Sequence, residues 1–195
     1  MPLLAGSIKD VFGTTKNNPE RDLQADPTTI ARLATHFDIG WDFDGTLVGH
    51  PASSILHEFI RSRRAVRHVI ITFRTGSAVA RVWDDLAQYA TAPDRSCFAQ
   101  VLSIPDAALS DYVASRERQS SMRHLLSSSP AEQLCRHWKG KVCSEHNLTA
   151  LVDDMTAFVA AGCRRYDVAL FHPNAFVVGS TGGRGNGIEP PTSCT

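Results

Sequence analysis

The sequence predicts a three-layer α/β domain built on a mainly parallel sheet. Short apolar runs of strand type recur at 37–43, 68–72, 98–104, 148–152 and 168–171, and stretches with apolar residues at helical spacing separate them. Size agrees: 195 residues, 43% of them hydrophobic, suit one ordinary domain that buries a core without disulfides or a structural metal.

Residues 1–36 read as a preamble, turn-rich over 13–19 and followed by a short helix that Asp26 caps and Pro27 opens. In 37–43, Phe37, Ile39, Trp41 and Phe43 alternate with Asp38, Gly40 and Asp42, the pattern of a strand. Its polar second face departs from the apolar faces of an ordinary central parallel strand. After Pro51, Ile55, Leu56, Phe59 and Ile60 recur at helical spacing, and His68-Val69-Ile70-Ile71-Thr72 supplies the next strand. A helix over 77–89, a strand at 98–104 and a helical stretch after Pro105 come next. A strand at 148–152, a helix through Phe158 and a strand at 168–171 complete the alternation. From 179 to 195 the composition turns to Gly, Ser, Thr and Pro, which predicts a disordered tail. The glycines at 182, 183, 185 and 187 follow no strand and open no helix, so they lack the setting of a phosphate-binding loop. The division expected is therefore 1–36 preamble, 37–178 core and 179–195 tail.

Twenty basic and twenty acidic residues leave a formal net charge of zero, which gives no signal for nucleic acid. The densest basic cluster, Arg61, Arg63, Arg64 and Arg67, falls at a helix end and reads as a solvated face. The apolar start lacks a basic flank and is too short for a signal peptide, and no run approaches the length of a membrane span. The expectation is a cytoplasmic protein with no membrane contact. Five scattered cysteines, Cys97, Cys135, Cys143, Cys163 and Cys194, form no CxxC pair and read as reduced thiols.

Three chemically equipped pieces fall at the C-terminal ends of strands: Asp42-Phe43-Asp44-Gly45-Thr46, then Thr72, then Asp153-Asp154. That edge of an open α/β sheet is where ligands bind. Parallel strands would bring four carboxylates and a hydroxyl into one crevice, and carboxylates so crowded hold a hard cation or share a proton. Mg²⁺ suits such an oxygen-rich site. Asp44-Gly45 alone would be read as a turn, but the coincidence with the acidic pair and the threonine outweighs that.

The segment Trp41-Asp42-Phe43-Asp44-Gly45-Thr46-Leu47-Val48, a threonine closing the next strand, a lysine and an acidic pair closing a later one together resemble the haloacid dehalogenase superfamily. The resemblance covers roughly 37–173 and implies a Rossmann-like core. It implies Asp42 as a nucleophile that forms an aspartyl-phosphate, and Asp44 as the acid that protonates the leaving group and then the base that activates water. Thr72 would hydrogen-bond the phosphoryl oxygens. Asp42, the backbone carbonyl of Asp44, and Asp153 would bind Mg²⁺, with Asp154 orienting the site from behind. Retention of the second aspartate implies phosphate-ester hydrolysis on a phosphorylated substrate. A phosphotransferase, or a non-catalytic module that binds Mg²⁺ and a phosphorylated ligand, is the alternative.

Lys139 and Lys141 both precede the Asp153 strand. A helix rises about 1.5 Å per residue and a strand about 3.3 Å, so the more distant Lys139 reaches nearer the catalytic edge. Arg74, with Thr75 and Gly76, continues into the loop above the site and is placed to contact substrate. His172 and Asn174 suit a turn at least as well. The stretch 48–67 is too short for a cap domain, and core elements use up most of 77–138. A minimal or absent cap follows, with the crevice open unless the preamble, a second copy of the chain or a large substrate covers it.

Overall fold

A computed structural model describes residues 24–120 and 129–178. The tail expected at 179–195 and the turn-rich stretch at 13–19 lie outside the described residues. In chain order the elements are β1 (Gln24–Ala25), α1 (Pro27–Leu33), β2 (Asp38–Asp42), α2 (Ser53–Ser62), β3 (Arg67–Thr72), α3 (Gly76–Ala80) and α4 (Val82–Leu86). There follow β4 (Phe98–Ser103), α5 (Asp106–Ser120), α6 (Pro130–Glu145), β5 (Ala150–Val152), α7 (Thr156–Arg165), β6 (Ala169–Phe171) and β7 (Val177–Val178).

Strands β2 to β6 form one parallel sheet in the order β4-β3-β2-β5-β6. The chain starts at the centre, steps outward to β4, and returns to the other side of β2 to lay down β5 and β6. The direction of winding reverses between β2 and β5, and ligands of open α/β sheets bind at such a switch point.

Side-chain alternation divides the interior into two cores. Ile39, Trp41, Ile70, Ala150 and Val152 face Leu33 of α1, Leu56, Phe59 and Ile60 of α2, and Val82 and Leu86 of α4. Val69, Ile71 and Leu151 face Leu109 and Tyr112 of α5, Cys135, Trp138 and Val142 of α6, and Phe158 and Val159 of α7. The chain is α/β as expected, with a five-stranded parallel sheet and helices packed on both of its faces. Residues 24–36 are fastened to the sheet domain: β1 pairs antiparallel with β7, the Asp26 N–H donates to the Phe176 carbonyl at 2.8 Å, and Leu33 is fully buried. Asp26 caps α1 as expected, accepting from the Thr29 N–H at 2.9 Å.

The polar face of β2 has an explanation that the sequence did not carry. A Cβ on Gly40 would lie 2.8 Å from Ile71 Cδ1 and 3.4 Å from Cys143 Sγ, so side chains of β3 and α6 already fill the space beside this position. Asp38, at the opposite end of the strand, accepts from Arg67 Nε at 2.6 Å.

Several elements differ from expectation. The helix expected over 77–89 is two short helices, with Arg81 ending one and beginning the next. Ala78, Val82 and Leu86 still face inward, so the apolar spacing persists across a break in the backbone ladder. The first strand stops at Asp42 and excludes Phe37, which is 65% exposed. The strand expected at 148–152 begins at Ala150, after Asn147 in a positive-φ conformation.

The arginine cluster is not simply a solvated face. Arg61 pairs with Glu58 on α2, but Arg63 donates to the Ala34 carbonyl at 2.8 Å, and Arg67 bridges Asp38 and the His146 carbonyl. These two side chains tie three loops together at the N-terminal edge of the sheet. Cys135, Cys143 and Cys163 are buried and free, as expected, and no described helix is long and apolar enough to cross a membrane.

Candidate active site

Strand register brings the acidic motifs together. Trp41 pairs with Val152, which places Asp42 and Asp153 side by side one residue beyond the ladder. Asp42 itself pairs with Ile71, so Thr72 follows one step further on the other flank. All three are buried.

Lys139 reaches the pair from α6. Its Nζ donates to Asp42 Oδ1 at 2.5 Å and to Asp153 Oδ2 at 2.6 Å, and it lies 4.7 Å from the centroid of the Phe73 ring. Burial alone would push the Lys139 ammonium down, but Asp153 and Asp42 outweigh it and hold the group firmly protonated, well above its ordinary value. Lys141 lies two residues on, roughly 200° around the helix, and pairs at the surface with Glu145 at 3.5 Å. The choice between the two lysines is thus made by which helix face meets the sheet.

That face is set by an unusually close helix contact. A Cβ on Gly140 would fall 2.3 Å from the Gly162 carbonyl carbon, and one on Gly162 would fall 2.7 Å from His137 Cα. The backbones of α6 and α7 therefore touch where two glycines meet, directly beside Lys139.

The loop after β2 is held just as firmly. Gly45 adopts φ 77°, a left-handed conformation that suits glycine, and the turn closes through Gly45 N–H to the Val48 carbonyl at 2.6 Å. The Thr46 hydroxyl accepts from the Asp154 N–H at 3.1 Å and makes a longer 3.5 Å contact to Asp42 Oδ2. Ser53 Oγ donates to the Thr46 carbonyl at 2.8 Å, and His57 Nε2 lies 2.8 Å from the Leu47 carbonyl. Asp153 is oriented in turn by the Met155 N–H, 2.7 Å from Oδ1.

Asp44 stands apart from the carboxylate cluster. Arg74 grips it in a fork, with Nη2 2.7 Å from Oδ1 and Nε 2.9 Å from Oδ2. The same guanidinium pairs through Nη1 with Asp85 on α4 and lies 4.5 Å from the centroid of the Phe43 ring. Burial would lower its basicity, but Asp44 and Asp85 raise it beyond the ordinary arginine value. The Arg74 N–H donates to the Thr72 hydroxyl at 3.1 Å. Arg74, expected to contact substrate, is directed at protein carboxylates here. Of the two residues after β6, His172 Nδ1 accepts from the Asn174 N–H at 3.0 Å, a local turn contact.

One oxygen from each of Asp42, Asp153 and Asp154 lies within 4.8 Å of the others. Counted formally, three carboxylates beside one ammonium leave two negative charges, which one divalent cation would cancel. All the donors are oxygens, the set a hard cation takes. Asp154 enters this cluster through its carboxylate, whereas the resemblance placed it behind the ligands. The Asp44 side chain is not in it, and the resemblance implied the ligand role for its backbone carbonyl, not for its carboxylate.

The solvent-open crevice expected of a capless site is not found around the nucleophile candidate. Asp42 is 4% exposed, Lys139 1% and Asp153 fully buried. Exposure rises only at the rim, where Asp44, Arg74 and Asp154 lie.

No local pattern marks Asp85 or the Gly140–Gly162 contact, since each depends on a partner distant along the chain. Thr46 stood inside the quoted motif, yet its bridging between Asp42 and Asp154 needs the strand register to be seen. Comparison of the chain with protein-family models, with curated proteins and with solved structures returned no match.

Proposed function

We propose that the chain is a Mg²⁺-dependent phosphatase of the haloacid dehalogenase kind, hydrolysing a phosphate monoester by way of a phosphoryl group carried on Asp42. The observation that carries the reading is the Lys139 ammonium seated between Asp42 and Asp153, with Asp154 alongside, at the switch point of a parallel sheet. A structural core does not need two buried aspartates on a buried lysine, which is a costly arrangement in a fold that apolar residues could complete.

Asp42, Asp153 and Asp154 would hold the cation, with the Asp44 carbonyl as a further donor. When bound, Mg²⁺ supplies charge neutralisation on the phosphoryl oxygens and fixes the phosphate against the nucleophile. The residues do the rest. An oxygen of Asp42 attacks phosphorus, the bond from phosphorus to the leaving oxygen breaks, and Asp44 gives that oxygen its proton. Water then attacks the same phosphorus and passes a proton to Asp44, which frees Asp42 and inorganic phosphate. Lys139 opposes the charge that builds on the phosphoryl oxygens, and Thr72 would hydrogen-bond the same oxygens.

Release of phosphate from p-nitrophenyl phosphate tests the reading. Wild type should turn over with Mg²⁺, stop in EDTA and be inhibited by Ca²⁺, whose larger and looser coordination shell misplaces the nucleophile. Asp42→Asn should remain folded by circular dichroism and lose turnover. Full activity in chelator, or wild-type turnover in a folded Asp42→Asn variant, would overturn it. Mg²⁺ binding without turnover of any phosphate ester would favour the binding module, and transfer to an added alcohol would favour the phosphotransferase.

A further inference from the structure

Asp44 is held by more than its own backbone. Its two oxygens accept from Arg74 at 2.7, 2.9 and 3.2 Å, so the carboxylate plane is set by the guanidinium plane. Arg74 in turn is fixed from three sides. Asp85 takes the outer Nη1, Phe43 lies beneath the guanidinium at 4.5 Å, and the Arg74 backbone N–H donates to the Thr72 hydroxyl at 3.1 Å. The arginine is only 11% exposed, whereas Asp85, at 31%, stands nearer the surface on α4.

The arrangement runs from a short helix, through one arginine, to the residue assigned proton transfer. Resting on the phosphatase reading, we infer that Arg74 is a positioning residue, anchored by Asp85, which sets the orientation of the Asp44 carboxylate toward the leaving oxygen. Arg74 acts through Asp44 and need not touch the phosphoryl group. Lysine cannot replace it, because a single ammonium fixes one oxygen and leaves the carboxylate free to turn.

A leaving-group series separates this role from general support of the fold. Alkyl phosphates need a proton on the departing oxygen, whereas a dinitrophenolate departs without one. Asp85→Asn should lower kcat on an alkyl phosphate by about tenfold to a hundredfold, the usual cost of a misplaced catalytic group, with KM unchanged. On dinitrophenyl phosphate the same variant should stay within about twofold of wild type. Arg74→Lys should show the same selectivity more strongly. Asp84→Asn, a matched charge change at the exposed neighbour on α4, should leave both substrates unaffected.

Equal loss on all leaving groups, in variants that melt at the wild-type temperature, would overturn the positioning role and leave the phosphatase reading standing. A rise in kcat on removing Asp85 would also overturn it, by showing that Arg74 withholds Asp44. Absence of wild-type turnover on every ester would sink the function and this inference together.

Discussion

The two ends of strand β2 each carry an aspartate in a short ion pair, and the pairs have little else in common. At the start, Asp38 meets Arg67 at 2.6 Å with about a third of each side chain exposed. At the finish, Asp42 meets Lys139 at 2.5 Å with 5% and 1% exposed. Water screens the first pair and offsets most of its attraction, so it fastens loops at modest gain. The second has been stripped of water and persists because Asp153 supplies a further partner. Distance is nearly equal at the two ends. Burial separates a clasp from the candidate reactive centre.

The sharpest way to break this contrast is Lys139→Met. It leaves Asp42 and Asp153 without their shared cation, and should destabilise the fold by about 3–5 kcal/mol while removing turnover. Urea unfolding measures the first effect and phosphate release the second. A change below about 1 kcal/mol would mean that the buried pair behaves like the exposed one.

The helix contact beside Lys139 comes next. Gly162→Ala should cost about 1–3 kcal/mol and reduce turnover along with stability, because the added methyl meets the α6 backbone. Unchanged melting would show that α6 and α7 can separate without disturbing Lys139.

A pH effect of similar size belongs to the other end of the sheet. Burial, the largest cause, lowers the His68 pKa from 6.5 to about 4, while the ring accepts from Trp41 Nε1 at 3.1 Å. The unfolded chain then binds a proton that the folded chain refuses. The His68 contribution is thus whole above about pH 6.5 and is lost progressively as pH falls toward 4. Stability at about pH 5 should be about 2 kcal/mol below that at about pH 7 on this account. His68→Gln should flatten that slope, and an identical slope would remove His68 as its source. The smallest effect is expected from Asp38→Ala, about 0.5 kcal/mol by urea unfolding, since Arg67 keeps the His146 carbonyl.

Most of the strands and the order of the layers were legible because apolar runs and helical spacing are local signals. Asp42, Asp153 and Thr72 were legible for the same reason, each closing such a run. The limits are equally physical. The break at Arg81 leaves the apolar spacing of Ala78, Val82 and Leu86 intact, so no pattern in the sequence marks it. Gly40, Gly140 and Gly162 are small because of what lies opposite them, and the partners are fixed only by the sheet and helix packing. Asp85 reads as a surface acid until Arg74 is folded against it. The burial of Asp42 likewise goes with the buried ion pairs that Lys139 makes to Asp42 and Asp153, which join residues far apart in the chain.

The most direct measurement is the covalent state of Asp42 during turnover. Protein mixed with Mg²⁺ and a phosphate monoester, quenched in acid within one turnover and digested, should yield a phosphoryl adduct on the peptide that contains Asp42. The adduct should be absent without Mg²⁺ and absent from Asp42→Asn. Hydrolysis that proceeds with no adduct, or with the adduct on another residue, would contradict the account.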